Sequence, residues 1–341
     1  MAVWIFNPGY ESSAKQGLPN YTPPKNVDRF RTDCAPLLLS LAGPEDRVLV
    51  PHTLPEALWH PAFCATANGQ PLAPWGWAPE LSQYGPLPYS TDEMRYFACR
   101  KRSVELWKMI YRIGGDLFEK NAIPPRVQAD STDLPNPPFV LKDLYSSSGR
   151  GVTFVPTTKA KLPAGQRQRI VEPLLEIQED IGIELERTTT GTLRYLGLSR
   201  MQNNKGRYAG NRLNDPTLPH PDMHTYIDLV LEVLGSYDLK HYHGLIGVDT
   251  AIYKGSDGQP HIWPLIEINI RPTMGHVALA LEKKHEHARL FEIRYLAEAG
   301  ALPQPSSSTP LYLTDPTAPH SGAHLLTPLL PDTQFVALLH F

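Results

Sequence analysis

The stretch DTAIYKGSDGQPHIWPLIEINIRPTMG, residues 249 to 275, decides how the chain is read. Its middle, Gly255-Ser256-Asp257-Gly258-Gln259, is built of turn formers, and the flanking runs GLIGVDTAIY and HIWPLIEINI have the composition of strands. A hairpin is predicted. Glu267 and Asn269 lie two apart, so their side chains leave one face while Ile266, Ile268 and Ile270 leave the other. Asp249 stands at a distance from the turn that can set it opposite Glu267. Two carboxylates and an amide oxygen would then converge. Such hard donors suit Mg²⁺, which takes one or two carboxylates and completes its shell with water and phosphate oxygens. On an arbitrary hairpin the same three would merely line a wet face, but two upstream segments weigh against that.

The first is FVLKDL (residues 139 to 144), followed by the small-residue turn SSSGRG (146 to 151) and the strand VTFV. Lys142 on a strand can reach α- and β-phosphates as a fixed charge, and the tip residues Ser147, Ser148 and Gly149 can bend backbone N–H groups around phosphate oxygens. Neither a Walker A loop nor a dinucleotide fingerprint is present. The second is IVEPLLEIQEDIGIE, residues 170 to 184. There Glu172, Pro173, Leu174 and Leu175 could offer backbone groups to an adenine edge, with Glu179 or Asp180 placed for ribose hydroxyls.

Further out, AVWIF and RVLVP read as strands separated by a helix from Asp28 to Ala42, the opening of a parallel sheet with crossover helices. A helical pattern runs from Asp92 to Lys120, strands fill 167 to 200, and a helix spans His224 to Leu234. Residues 276 to 301 read as one helical stretch, followed by a Pro- and Ser-rich tail ending in FVALLHF. The fold class expected is α/β (α+β), with an N-terminal α/β domain over 1–98, a second domain over 99–302 divided near 170, and a tail over 303–341. A length of 341 residues allows about two domains. Thirty-two Lys and Arg against thirty-five Asp and Glu leave a net charge of -3, no field for holding a nucleic acid. No apolar run approaches the roughly 20 residues of a membrane span, and no secretory pattern opens the chain, so a cytoplasmic protein is expected. Cys34, Cys64 and Cys99 are widely spaced and read as reduced thiols. His241 and His243, like His285 and His287, lack a third metal ligand at the right spacing.

The order of these pieces, from Cys99 to Lys284, resembles the ATP-grasp superfamily, and EINIRPTMG (Glu267 to Gly275) looks like the metal-binding strand and loop of its carboxylate-amine ligases such as D-alanine-D-alanine ligase. The resemblance implies an ATP-grasp fold behind a Rossmann-like pre-ATP-grasp domain. It also implies ATP held with two Mg²⁺ ions, or Mn²⁺ in their place, by Asp249, Glu267 and Asn269. Lys142 and the Ser146 to Gly151 loop match the family's lysine and glycine-rich loop, and Glu172 to Leu175 its adenine hinge. A phosphate-binding cation at the start of the first helix would be Lys101 or Arg102. Another, from LSRMQNNKGRYAGNRLND, would be Arg212, with Arg200 as substitute. Where many of these ligases carry arginine two residues before the metal aspartate, this chain has Gly247, which shifts oxyanion stabilisation to Arg271. The activity implied is ADP-forming ligation of a small-molecule carboxylate to an amine or thiol; a small-molecule kinase and an inactive nucleotide-binding module are the alternatives. A second copy of the chain is an expected partner, nucleic acid and membrane are not. IFNPGYESSA and PWGW resemble the N-terminal region of an uncharacterised bacterial ATP-grasp-like group, which puts Asn7, Tyr10, Trp75 and Trp77 on the substrate side.

Overall fold

In the computed structural model, which describes residues 1–51, 54–67, 69–128, 134–146, 151–157, 168–204, 206–297, 305–315 and 318–341, the chain opens with strand β1, Val3–Ile5. Gly9, at φ +80° and with Val27 against the place of a Cβ, turns it into helix α1, Tyr10–Gln16. Helix α2, Lys25–Cys34, is shorter than the expected Asp28 to Ala42: Pro36 has no N–H to continue the ladder, and a 3-10 segment, Ala35–Ser40, follows. Strands β2 (Arg47–Leu49), β3 (Phe63–Cys64) and β4 (Leu72–Pro74) join β1 in the order β3-β2-β1-β4, and every pairing is parallel, as expected.

The helical stretch after Asp92 is two helices, α3 (Thr91–Ala98) and α4 (Lys101–Gly114). Cys99 between them is extended, and Arg100 N–H donates to Leu144 O at 3.0 Å. Strands β5 (Arg126–Gln128), β6 (Phe139–Asp143), β7 (Val152–Val155) and β8 (Arg169–Pro173) form an antiparallel sheet in the order β5-β8-β6-β7.

The large sheet comprises β9 (Ile177–Arg187), β10 (Leu193–Asn204), β11 (Arg207–Arg212), β12 (Gly244–Lys254), β13 (Pro260–Asn269), β14 (Leu290–Tyr295), β15 (Ala323–Leu325) and β16 (Phe335–His340). Its order is β13-β12-β9-β10-β11-β14-β16-β15, all antiparallel. Helices α5 (Met223–Ser236) and α6 (Met274–Lys284) complete the chain. The stretch 276 to 301, expected to be helical throughout, leaves the helix after Lys284. Leu290–Tyr295 is a strand because Phe291, Ile293 and Tyr295 alternate and pair between β11 and β16. The tail from 303 contributes two paired strands to the sheet.

One face of the large sheet, carrying Ile181, Ile183, Leu185 and Val248, packs on α4 and α5 through Trp107, Ile110, Tyr226 and Val230. The other face carries Phe291, Ala337 and Leu339, which share a core with Leu37, Leu38 and Phe63 of the N-terminal half and with Val277 and Leu281 of α6. Among the described residues no helix is long and apolar enough to cross a membrane.

Candidate nucleotide and metal site

A cleft of about 1180 Å³ runs over the second face of the large sheet and under the β6–β8 sheet. It draws in Lys142, Glu172, Pro173, Leu174, Leu175, Asp180, Asp249, Glu267, Asn269 and Arg271, residues from four separate parts of the sequence. Strand register is the reason. Asp249 pairs opposite Glu267 on one side and Gly182 on the other, so the two carboxylates project to one face beside the bare backbone of Gly182, and Asn269, two residues on from Glu267, joins them. A register irregularity follows directly, between Asp249 and Ala251.

Asn269 Nδ2 donates to Asp249 Oδ2 at 3.0 Å, which leaves its amide oxygen as the atom that could meet a cation. Burial, then the neighbouring Glu267 and Glu184 carboxylates, push the Asp249 pKa up to about 8. Burial works against the charge of Glu267 as well, but Arg100, with Lys142 and Arg271 behind it, holds its pKa below the usual carboxylate range. A half-buried carboxylate facing two others is a place where a divalent cation would relieve repulsion, and two carboxylates with one amide oxygen fit Mg²⁺ that keeps water and phosphate oxygens. Among the described residues no three Asp, Glu, His or Cys side chains converge as a closed metal site, so such an ion would depend on outside oxygens.

Lys142 is buried on β6, and its ammonium meets the Glu172 carboxylate on the adjoining β8. Asp180 lies in the cleft and accepts from Asn203 Nδ2 at 2.7 Å. Ser147, Ser148 and Gly149 lie outside the described residues.

Three expected site residues stand elsewhere. Glu179, Arg200 and Arg212 sit on the opposite face, because Arg200 pairs with Ile181 of the helix-covered core and Arg212 pairs with Arg200. There Arg200 grips Glu179 at 2.6 and 2.7 Å and Asp215 at 3.1 Å, while Arg212 also meets Glu179. Neither arginine lines the cleft, and Asp180 lines it where Glu179 does not. Arg102 turns outward as well, to Glu105 at 3.1 Å and over the Tyr96 ring. Lys101 does not line the cleft.

The cation that does enter from the α4 start is Arg100, one residue earlier, which the sequence reading missed. It is 5% exposed, donates from Nε to Glu267 Oε1 at 2.7 Å and from Nη1 to Ser146 Oγ at 2.6 Å. The residue before a helix start was the available signal. Glu184 was also missed: it lines the cleft, accepts from Ser199 Oγ at 2.8 Å and Thr273 Oγ1 at 2.7 Å, and lies 2.8 Å from His276 Nδ1. Burial opposes its charge, yet His276 first, then the two hydroxyls, hold its pKa below the ordinary value. A Cβ at Gly247 would overlap Thr273 and lie 3.2 Å from Glu184 Oε2.

On the N-terminal side, Arg271 Nε lies 3.8 Å from Glu11 Oε1 and its guanidinium 5.9 Å over Trp75, with Tyr10 beside it in a small cavity that Arg100 and Glu267 also line. Asn7 instead ties the end of β1 to the segment after β4, donating to Gly76 O at 2.8 Å and accepting from Gly76 N at 3.0 Å. Trp77 packs edge-on against Tyr89.

No family model matches the chain, and no curated protein matches it. Among solved structures it is similar to the N5-carboxyaminoimidazole synthetase of Staphylococcus aureus complexed with ADP, at 13% identity and TM-score 0.47 over 80% of this chain and 70% of that one. It is similar to the biotin carboxylase domain of the Hydrogenobacter thermophilus 2-oxoglutarate carboxylase in complex with MgADP, ADP and bicarbonate, at 13% identity and TM-score 0.45 over 73% and 63%. A third is a protein of Archaeoglobus fulgidus provisionally placed in the ATP-grasp superfamily, at 12% identity and TM-score 0.48 over 89% and 95%.

Proposed function

We propose that this chain is an ATP- and Mg²⁺-dependent ligase of the ATP-grasp kind, which joins a small-molecule carboxylate to an amine or thiol through an acyl-phosphate. The observation that carries the reading is the meeting, in one cleft, of Lys142, the Glu172 to Leu175 segment and the trio Asp249, Glu267 and Asn269. Lys142 holds a fixed positive charge at the nucleotide phosphates, and its pairing with Glu172 keeps that charge on the cleft wall. Leu174 and Leu175 cover the adenine, and Asp180 accepts from ribose hydroxyls. Asp249, Glu267 and Asn269 would hold Mg²⁺, which supplies charge neutralisation on the phosphates. Arg100 keeps Glu267 ionised and turned inward. The substrate carboxylate oxygen attacks the γ-phosphorus and ADP leaves with the bridging electron pair. The nucleophile then attacks the acyl carbon, phosphate departs and the proton passes to solvent. Arg271, which lines the same cleft, would stabilise the oxyanion of that second step.

The test is turnover of MgATP across a panel of carboxylates with hydroxylamine as the nucleophile, followed by mass analysis. ADP, phosphate and a hydroxamate are expected, and Glu267→Gln should abolish them while keeping the far-UV spectrum. A stable phosphorylated product would establish a kinase instead, and bound ATP with no turnover on any substrate an inactive module.

A further inference from the structure

The cleft is larger than one ligand requires: about 1180 Å³ against the roughly 300–1000 Å³ of ordinary ligand pockets. Beyond the carboxylate trio its walls change character. Phe30, Trp75, Met274, Ile293, Tyr295 and Phe335 line that end, brought together from the N-terminal half, the α6 start, β14 and β16. The rings run in contact from one to the next. Trp75 and Phe30 each pack edge-on against the buried Phe6, at 5.0 and 5.3 Å between centroids. Phe30 meets Phe335 at 4.9 Å, and Phe335 stacks on Tyr295 at 5.0 Å. At the inner end of this wall stands Arg271, over the Trp75 ring. Of the charged groups nearby, Glu292 and Arg294 are paired at 2.7 Å and Glu292 also takes His340 at 3.0 Å, while Arg207 lines the same cleft and Glu11 lies 3.8 Å from Arg271.

A guanidinium heading a row of aromatic rings complements a molecule with one carboxylate and an apolar tail. Charge fixes the head beside the trio, and the removal of apolar area from water supplies the affinity. We propose that the carboxylate substrate of this site is an amphipathic acid, its tail a ring or an alkyl chain lying along the wall of Phe30, Ile293, Tyr295 and Phe335. The inference rests on the functional reading above for the word substrate, but the binding site is drawn from this compartment alone.

Calorimetric titration with four acids, 3-phenylpropanoate, octanoate, succinate and glycolate, in the presence and absence of MgADP, tests it. The two apolar acids should bind at least tenfold more tightly than succinate and glycolate. Phe335→Asp and Tyr295→Ser should each erase that preference while leaving ADP affinity within twofold, which also shows that the variants fold. Arg271→Met should weaken all four. Equal binding of the four acids, tighter binding of succinate, or a preference untouched by both variants would overturn the proposal. Failure of ADP itself to bind would instead remove the nucleotide reading, and the ranking of the acids would still decide this one.

Discussion

Arg100 and Glu267 make a buried charged contact at the join of helix and sheet, and each depends on the other to be tolerated there. With the guanidinium 6% and the carboxylate 19% exposed, neither has water enough to be solvated alone. Removing one member of such a pair costs more than removing both, typically about 3–5 kcal/mol, because the survivor is an uncompensated buried charge. Arg100→Met should therefore lower the urea-unfolding free energy by about 3 kcal/mol, and adding Glu267→Gln to it should restore part of the loss. Additive losses in that double-mutant cycle would show that the pair is not coupled. Gly275 gives a steric prediction. A Cβ there would overlap Glu184 Oε1 and Ser199 Oγ, so Gly275→Ala must displace a carboxylate held by three partners and should destabilise by about 1–3 kcal/mol. Gly235 in α5 has nothing within 4 Å of its Cβ position, and Gly235→Ala should be neutral or stabilise by up to about 1 kcal/mol. Thermal denaturation of the two variants side by side checks the contrast. Single residues were legible where parity alone decides: Glu267 and Asn269 had to share a face. Arg200 and Arg212 stand on the face away from the cleft because pairing between strands carries the parity of Ile181, Ile183 and Leu185, the core side, to β10 and β11, a link that sequence spacing does not show; Glu179 shares that parity within β9 itself.

At the scale of elements, the break between α3 and α4 matters most to the site. The sequence from Asp92 to Lys120 carries no Pro or internal Gly before Gly114 to announce it; it comes from docking, with Arg100 N–H on Leu144 O and Ser103 Oγ accepting from Ile268 N–H at 3.1 Å. β13 is the edge strand of the large sheet, and Ser103 satisfies one of its outward donors between the two proposed metal ligands Glu267 and Asn269. Ser103→Ala leaves that buried N–H without its acceptor, which should cost about 1–3 kcal/mol. In urea the midpoint should fall with an unchanged slope, whereas an unaltered midpoint would mean that water replaces the hydroxyl. The same dependence on partners explains why Leu290–Tyr295 was read as helix. Six residues with Phe, Ile and Tyr in alternation are ambiguous alone, and β11 and β16 on either side decide them.

Across the whole molecule, the parallel N-terminal sheet and the eight-stranded sheet are divided in sequence yet joined in one core. Leu38, in the N-terminal half, and Leu339, in the last strand, are both fully buried in the same cluster, with Phe291 and Leu281 between them in the sequence. The sequence reads as two units and a tail, but which apolar faces meet across 300 residues was not legible in it. Shared burial has a thermodynamic consequence. If the two halves form one core, unfolding should be a single transition, with tryptophan fluorescence and far-UV circular dichroism giving one midpoint. Leu38→Ala and Leu339→Ala should each lower stability by about 2–5 kcal/mol and shift both probes together. Two resolved transitions, with Leu38→Ala moving one and Leu339→Ala the other, would mean that each half holds its own stability. The cleft wall between Phe30 and Phe335 would then be a contact between independently stable units, able to open without unfolding either.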